Sequence, residues 1–138
     1  MSLLLAMLIA LSGCSQRTGP APQPEARAAS PADVGARLYD TNCAACHQQD
    51  GSGIPGVYPT MIGSPLVLGD PKQLVRWVLK GQRPAGTPTG GYPTKMASFD
   101  WMKPKAAAQL LSYLRSSFGN AAPAIDEMTV EKALESSQ

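Results

Sequence analysis

The chain has 138 residues and one histidine, which lies in "NCAACHQQDGSG", residues 42–53, directly after the second of two cysteines three positions apart. No other feature constrains the fold as much. Two thiols and an imidazole at this spacing admit three chemistries: a dithiol redox pair, part of a zinc site, or covalent attachment of haem. A closed zinc site takes four Cys or His ligands. The chain offers only Cys14, Cys43, Cys46 and His47, and Cys14 sits in an apolar leader expected to be processed. A thioredoxin-like dithiol belongs in a βαβ context, whereas these residues follow a helical pattern and lead into a Gly/Pro-rich loop without strand alternation. Haem attachment uses every residue of the motif. The Cys43 and Cys46 thiols would add to the two vinyl groups, and His47, held beside the macrocycle, would bind the iron from one side.

Residues 1–14, "MSLLLAMLIALSGC", carry an apolar run from Leu3 to Leu11 that ends in small residues. The run falls far short of the ~20 residues a membrane-spanning helix needs, and it reads as a signal-peptide core. No Lys or Arg precedes it. "LSGC" resembles a bacterial lipobox, which makes residues 1–13 a signal peptide and Cys14 the lipidated first residue of the mature protein, on the periplasmic side of a membrane. Ser15 in place of Asp favours the outer membrane by the same resemblance. Residues 14–31, rich in Pro, Ala, Ser and Gln, lack bulky apolar side chains and read as a lipid-anchored flexible tether. Residues 32–120 then form a single domain, small enough that its own side chains bury only a marginal core, and a haem would supply the missing apolar surface.

Three helices are legible in that domain, and no segment sustains period-two alternation, so the expected class is all-α. The first, about Ala32–Cys43, puts Val34, Leu38 and Tyr39 on one stripe with Gly35 beside them and delivers Cys43 at its end. The second has Asp70 as N-cap, Pro71 at the first position, Leu74, Val75, Trp77 and Val78 as apolar positions, and Gly81 as terminator. Its Lys72, Arg76 and Lys80 make a solvated face. The third, about Lys103–Phe118, carries Ala107, Leu110, Leu111, Leu114 and Phe118, with Gly119 as its cap.

Residues 82–101, "QRPAGTPTGGYPTKMASFDW", are too rich in Gly, Pro and Thr for a continuous helix or strand. A long irregular loop in so small a domain is usually functional or disordered. If His47 holds one face of the iron, a thioether is the soft donor that suits the other. Met96, in this loop, is the candidate. Met61 lies only fourteen residues past His47, on the side expected to share its face of the ring; Met102 starts the last helix, and Met128 lies beyond the domain.

These residues together resemble the class I c-type cytochromes over about residues 33–120. Gly35 and Tyr39 precede Cys43 by eight and four residues, as the family's small and aromatic helix-crossing residues do. "PTMIG", Pro59–Gly63, resembles the family's Pro-x-Leu-x-Gly with Met61 in the leucine's place. The resemblance implies that the Pro59 carbonyl accepts a hydrogen bond from His47 Nδ1, so that Nε2 faces the iron. It also implies that "LLSYL", Leu110–Leu114, belongs to a last helix crossing the first at Gly35. "KMASF" stands where many relatives have Met-Pro-x-Phe, with Ala97 replacing the proline. "CAACHQQDGSGIPGVYPTMIGSP", "MASFDW" and "YLRSSFGN" are further similar to the cytochrome domains that serve quinoprotein alcohol or aldose dehydrogenases.

One motif implies one haem c, attached through Cys43 and Cys46, and the resemblance implies a one-electron carrier between a dehydrogenase or quinol-oxidising complex and a terminal oxidase or reductase. Catalysis would belong to the partners, whether the chain acts as a separate carrier or as a subunit. The competing class is a haem protein whose sixth position is open or exchangeable, binding small ligands or acting on peroxide; it would want a distal acid or base, and there is no second histidine. Residues 33–120 carry nine Lys plus Arg against five Asp, a surface suited to steering an acidic redox partner, with Lys95 beside Met96 as the rim candidate. No interleaving of basic and aromatic residues points to nucleic acid. The tail, residues 121–138, is net −3 and is expected to fray, the alternative being a short docking helix carrying Ile125, Met128 and Leu134.

Overall fold

A proline at the first helical position, with a polar residue just before it, opens three of the longer described helices, at Pro31, Pro71 and Pro104. The computed structural model describes residues 29–85 and 92–136. The leader, Cys14 and most of the tether lie outside these residues, as does part of the long loop.

Helix α1, Pro31–Asn42, is capped by Ser30, whose hydroxyl accepts from Asp33 N while the Asp33 carboxylate accepts from Ser30 N, a reciprocal capping box. The last two residues of the expected tether therefore belong to the domain. A single turn, α2, Ala44–His47, follows directly; a second, α3, Pro65–Leu68, precedes α4, Pro71–Lys80. The Asp70 carboxylate accepts from Lys72 N at 2.9 Å, and Gly81, at φ 66°, closes α4 with its N–H on Trp77 O. Helix α5, Pro104–Ser116, ends two residues before the expected Phe118. Phe118 itself turns to φ 60° and folds its ring back onto Tyr39 and Tyr113, at centroid distances of 5.0 and 5.6 Å.

The principal packing is α1 across α5, and Gly35 permits it. A Cβ built at Gly35 would lie 2.7 Å from Tyr113 Cβ and closer still to the Gln109 carbonyl oxygen. The crossing buries Tyr39 against Leu110, Leu111 and Leu114 in the core. No strand forms among the described residues; one isolated bridge pairs Ile54 with Tyr58. None of the described helices is long and apolar enough to cross a membrane.

The C-terminal segment does not fray. Helix α6, Glu127–Glu135, is capped by Asp126 on Thr129 N and packs against α4 and α5. Ile125, Val130 and Ala133 are buried, and Ile125 exchanges two hydrogen bonds with Ser112 Oγ, at 2.9 and 3.0 Å. Of the three residues assigned to a docking face, Ile125 is buried and Leu134 half-buried, while Met128 is 58% exposed; the tail's acidic composition concealed Val130.

Candidate haem site

Tyr39 O accepts the Cys43 amide, ending α1, and Cys43 leaves helical geometry at φ −122°. Its own carbonyl then accepts from Cys46 N and His47 N at 3.1 and 2.9 Å, so one turn presents both thiols and the imidazole together. Gln48 follows at φ 63°, ψ 158°, a backbone region ordinarily left to glycine. The buried Tyr39 hydroxyl fastens this turn by donating to Gln48 O at 2.6 Å. Burial pushes the Tyr39 hydroxyl pKa well up, keeping it a neutral donor.

The next loop returns under His47. His47 O accepts from Gly53 N, and Gly53, at φ 68°, has no room for a side chain, since a Cβ there would lie 2.6 Å from Pro59 O. His47, only 7% exposed, holds Nδ1 2.9 Å from that carbonyl. A carbonyl can only accept, so the proton resides on Nδ1 and Nε2 keeps its lone pair for a metal.

The two thiols, the imidazole, Pro59, Met61 and Met96 line one cavity of about 530 Å³. Its remaining walls include Leu66, Leu74, Val78, Phe99 and Leu114, an apolar enclosure for a flat, apolar macrocycle. Two anchoring thiols and a nitrogen donor with its tautomer fixed lie at one side, so the residues present fit a haem. Met102, by contrast, is 4% exposed within the core and does not line the cavity. Met61 enters with the loop beneath His47, its amide on Gly51 O at 2.8 Å. The segment bearing Met96 is tied to α4 through Phe99 N on Val78 O at 3.0 Å. Lys95 reaches the cavity lining, as do Trp77 and Arg83, whose guanidinium lies 4.8 Å above the Trp77 ring centroid. Sequence reading gave Trp77 only as an apolar helix position and Arg83 only as a charge; their pairing across the end of α4 carries no periodic signal.

The electrostatics of Cys43 bear on the dithiol alternative. Burial, and secondarily neighbouring Cys46, push its thiol up to about 11. A disulfide exchanger needs an accessible, low-pKa thiolate; a buried neutral thiol is a structural anchor. Among the described residues no group of three or more His, Cys, Asp or Glu is placed to hold a metal ion.

A family model described as cytochrome c matches residues 32–118. The chain belongs to the cytochrome c family. The cytochrome c subunit of the quinone alcohol dehydrogenase of Gluconobacter oxydans (strain 621H) is 31% identical over 93 residues, 66% of this chain and 20% of that subunit. The gluconate 2-dehydrogenase cytochrome c subunit of Pantoea cypripedii is 33% identical over 94 residues, 66% of this chain and 21% of the subunit. Cytochrome c-552 of Thermus thermophilus is 33% identical over 92 residues, 63% of this chain and 70% of that protein. The chain thus spans about a fifth of the length of the dehydrogenase subunits it matches. This cytochrome c has the all-α class I fold, one C-x-x-C-H motif for covalently attached haem c, and the electron-carrying role of its family.

Proposed function

We propose that this cytochrome c is a membrane-anchored, single-haem carrier that takes one electron at a time from a dehydrogenase or quinol-oxidising complex and passes it to a terminal oxidase or reductase. When bound, haem c supplies a one-electron Fe(II)/Fe(III) couple. Cys43 and Cys46 would hold it covalently, His47 Nε2 would ligate one face and Met96 the other. The observation that carries this reading is the convergence of a tautomer-fixed imidazole and a thioether on one apolar cavity. Pro59 keeps the imidazole proton on Nδ1; the apolar walls keep water from the iron and so favour the less charged, reduced state.

The names of two relatives, subunits of alcohol and gluconate dehydrogenases, support a dehydrogenase as the electron donor. Lys95 at the cavity lining fits an acidic docking partner. Cys14, at the end of "LSGC", would carry the lipid that holds the carrier at the periplasmic side of the membrane. Cys14→Ser should move the protein from the membrane fraction to the soluble one; a native-host mass with Met1 intact and no lipid would remove the anchor from the proposal.

Visible and near-infrared spectroscopy tests the ligand set. The oxidised protein should show the weak near-infrared band of sulfur on ferric haem, and Met96→Ala should abolish it, lower the reduction potential and admit carbon monoxide. Met102→Ala should keep the band. Survival of the band in Met96→Ala would refute the assignment. Rapid carbon monoxide binding or peroxide turnover by the wild type would favour an open sixth position instead.

A further inference from the structure

Among the described residues, Arg115 is a buried cation with no carboxylate partner, next in sequence to Leu114 of the cavity wall. It is 4% exposed, and its guanidinium donates to the carbonyls of Pro123 and Val67 at 2.7 Å and of Gly69 at 2.9 Å. All three acceptors are neutral main-chain groups, and among the described residues no carboxylate pairs with it. The charge is solvated by dipoles but not neutralised. Its chain neighbour Leu114 lines the cavity, and so does Leu66, next to the acceptor Val67.

Such an arrangement is an expensive way to tie a loop. A guanidinium cannot shed its proton, and an ion taken out of water costs several kcal/mol even after relaxation. Neutral donors tie carbonyls without that cost, as the same region demonstrates. Asn120, also buried, donates to Met61 O and Leu114 O and accepts from Gly63 N, clasping the adjoining loop with an uncharged amide. What Arg115 adds beyond a clasp is a fixed positive charge in a medium where salt screens it much less than at the surface.

We infer that Arg115 is an electrostatic determinant of the reduction potential: its buried, unneutralised charge opposes the extra positive charge of the oxidised site and so favours the reduced state. The inference rests on the electron-carrier reading above. Arg115 touches neither the cavity nor the ligands, so its influence is through space.

The test is an equilibrium redox titration of the full-length haem-loaded protein in four forms: wild type, Arg115→Lys, Arg115→Gln and Arg115→Met. Lys keeps the charge and three donors, Gln keeps donors without charge, and Met keeps bulk alone. Gln and Met should lower the potential alike, so that at a fixed ambient potential the reduced-to-oxidised ratio falls several-fold, while Lys stays at the wild-type value. The shift should persist at high salt. Gln behaving like Lys and wild type, with only Met displaced, would make Arg115 a clasp and overturn the inference; so would unchanged potentials throughout. Should Met fail to fold, the Lys and Gln pair decides. The sulfur band, recorded on each oxidised form, separates the two readings: its absence from the wild type would sink the Met96 assignment, whereas the charge dependence of the potential would still be read from the titrations.

Discussion

Gly35→Ala should destabilise this protein, although by helix propensity alone it should stabilise it. Alanine in a helix interior is worth about 1 kcal/mol over glycine. At Gly35, however, the new methyl carbon would sit 2.7 Å from Tyr113 Cβ and against the Gln109 carbonyl oxygen. Carbon atoms in contact prefer roughly 3.5–4.0 Å, so α1 and α5 would have to part by about 1 Å along the principal helix pair. One of the obstructing atoms is backbone and the other a Cβ, so no rotamer change relieves the clash. Overpacking of this kind costs about 3 kcal/mol at the upper end of the usual range. Set against the propensity gain, the net loss is about 2 kcal/mol, which corresponds to a fall in Tm of roughly 8–16 °C for a domain of this size. Thermal unfolding of the haem-loaded variant, followed by far-ultraviolet circular dichroism, measures it. A Tm at or above that of the wild type would show that the helices are not in contact at this glycine.

Two further predictions concern the C-terminal segment. Ile125→Ala should cost about 2–5 kcal/mol, because its side chain is buried under α5; an unchanged Tm would mean that the segment does not dock. The Asp126 carboxylate, which accepts from Thr129 N, has its pKa held below the usual value by hydrogen bonding to the Thr129 side chain first and to that N–H second. A depressed carboxylate contributes stability that is complete above its unfolded value, about 3.9, and is lost as pH falls through the lower folded value. Amide protection in the first turn of α6, measured relative to intrinsic exchange at each pH, should therefore fall below about pH 4 in the wild type but show no such step in Asp126→Asn.

The attachment motif and the punctuation of α4 were legible because each depends on a local rule, a fixed spacing or a cap, whereas the crossing at Gly35 was legible only through the family resemblance. Asp70, Pro71 and Gly81 bound α4 where their side-chain chemistry places them. The end of α5 was not legible, because Phe118 leaves the helix to pack on Tyr39, a tertiary preference that the apolar stripe through Phe118 hides. Ser30 belongs by composition with the tether, yet it caps α1, because the reciprocal bonds with Asp33 are a backbone matter that composition does not show. The α6 interface escaped because Val130 and Ala133 are small apolar residues among acids, and only the exposed flanks of α4 and α5 give them something to cover. Arg115 and Asn120 act through carbonyls and amides remote in sequence, and main-chain acceptors leave no trace in residue identity.

That α6 is docked separates the recognisable unit from the folding unit. The family model's match stops at residue 118. A fragment cut there would lose Asn120 from the Met61–Gly63 loop, the Pro123 carbonyl from Arg115 and the Ile125 partner of Ser112. It would also uncover whatever apolar surface of α4 and α5 now lies beneath Val130 and Ala133. The loss of Asn120 falls on the loop carrying Met61, which lines the haem cavity, so a trimmed fragment would keep every residue of the attachment motif and still lack a clasp on that loop. For this chain, the smallest piece that can be judged by its spectrum is longer than the smallest piece that can be named.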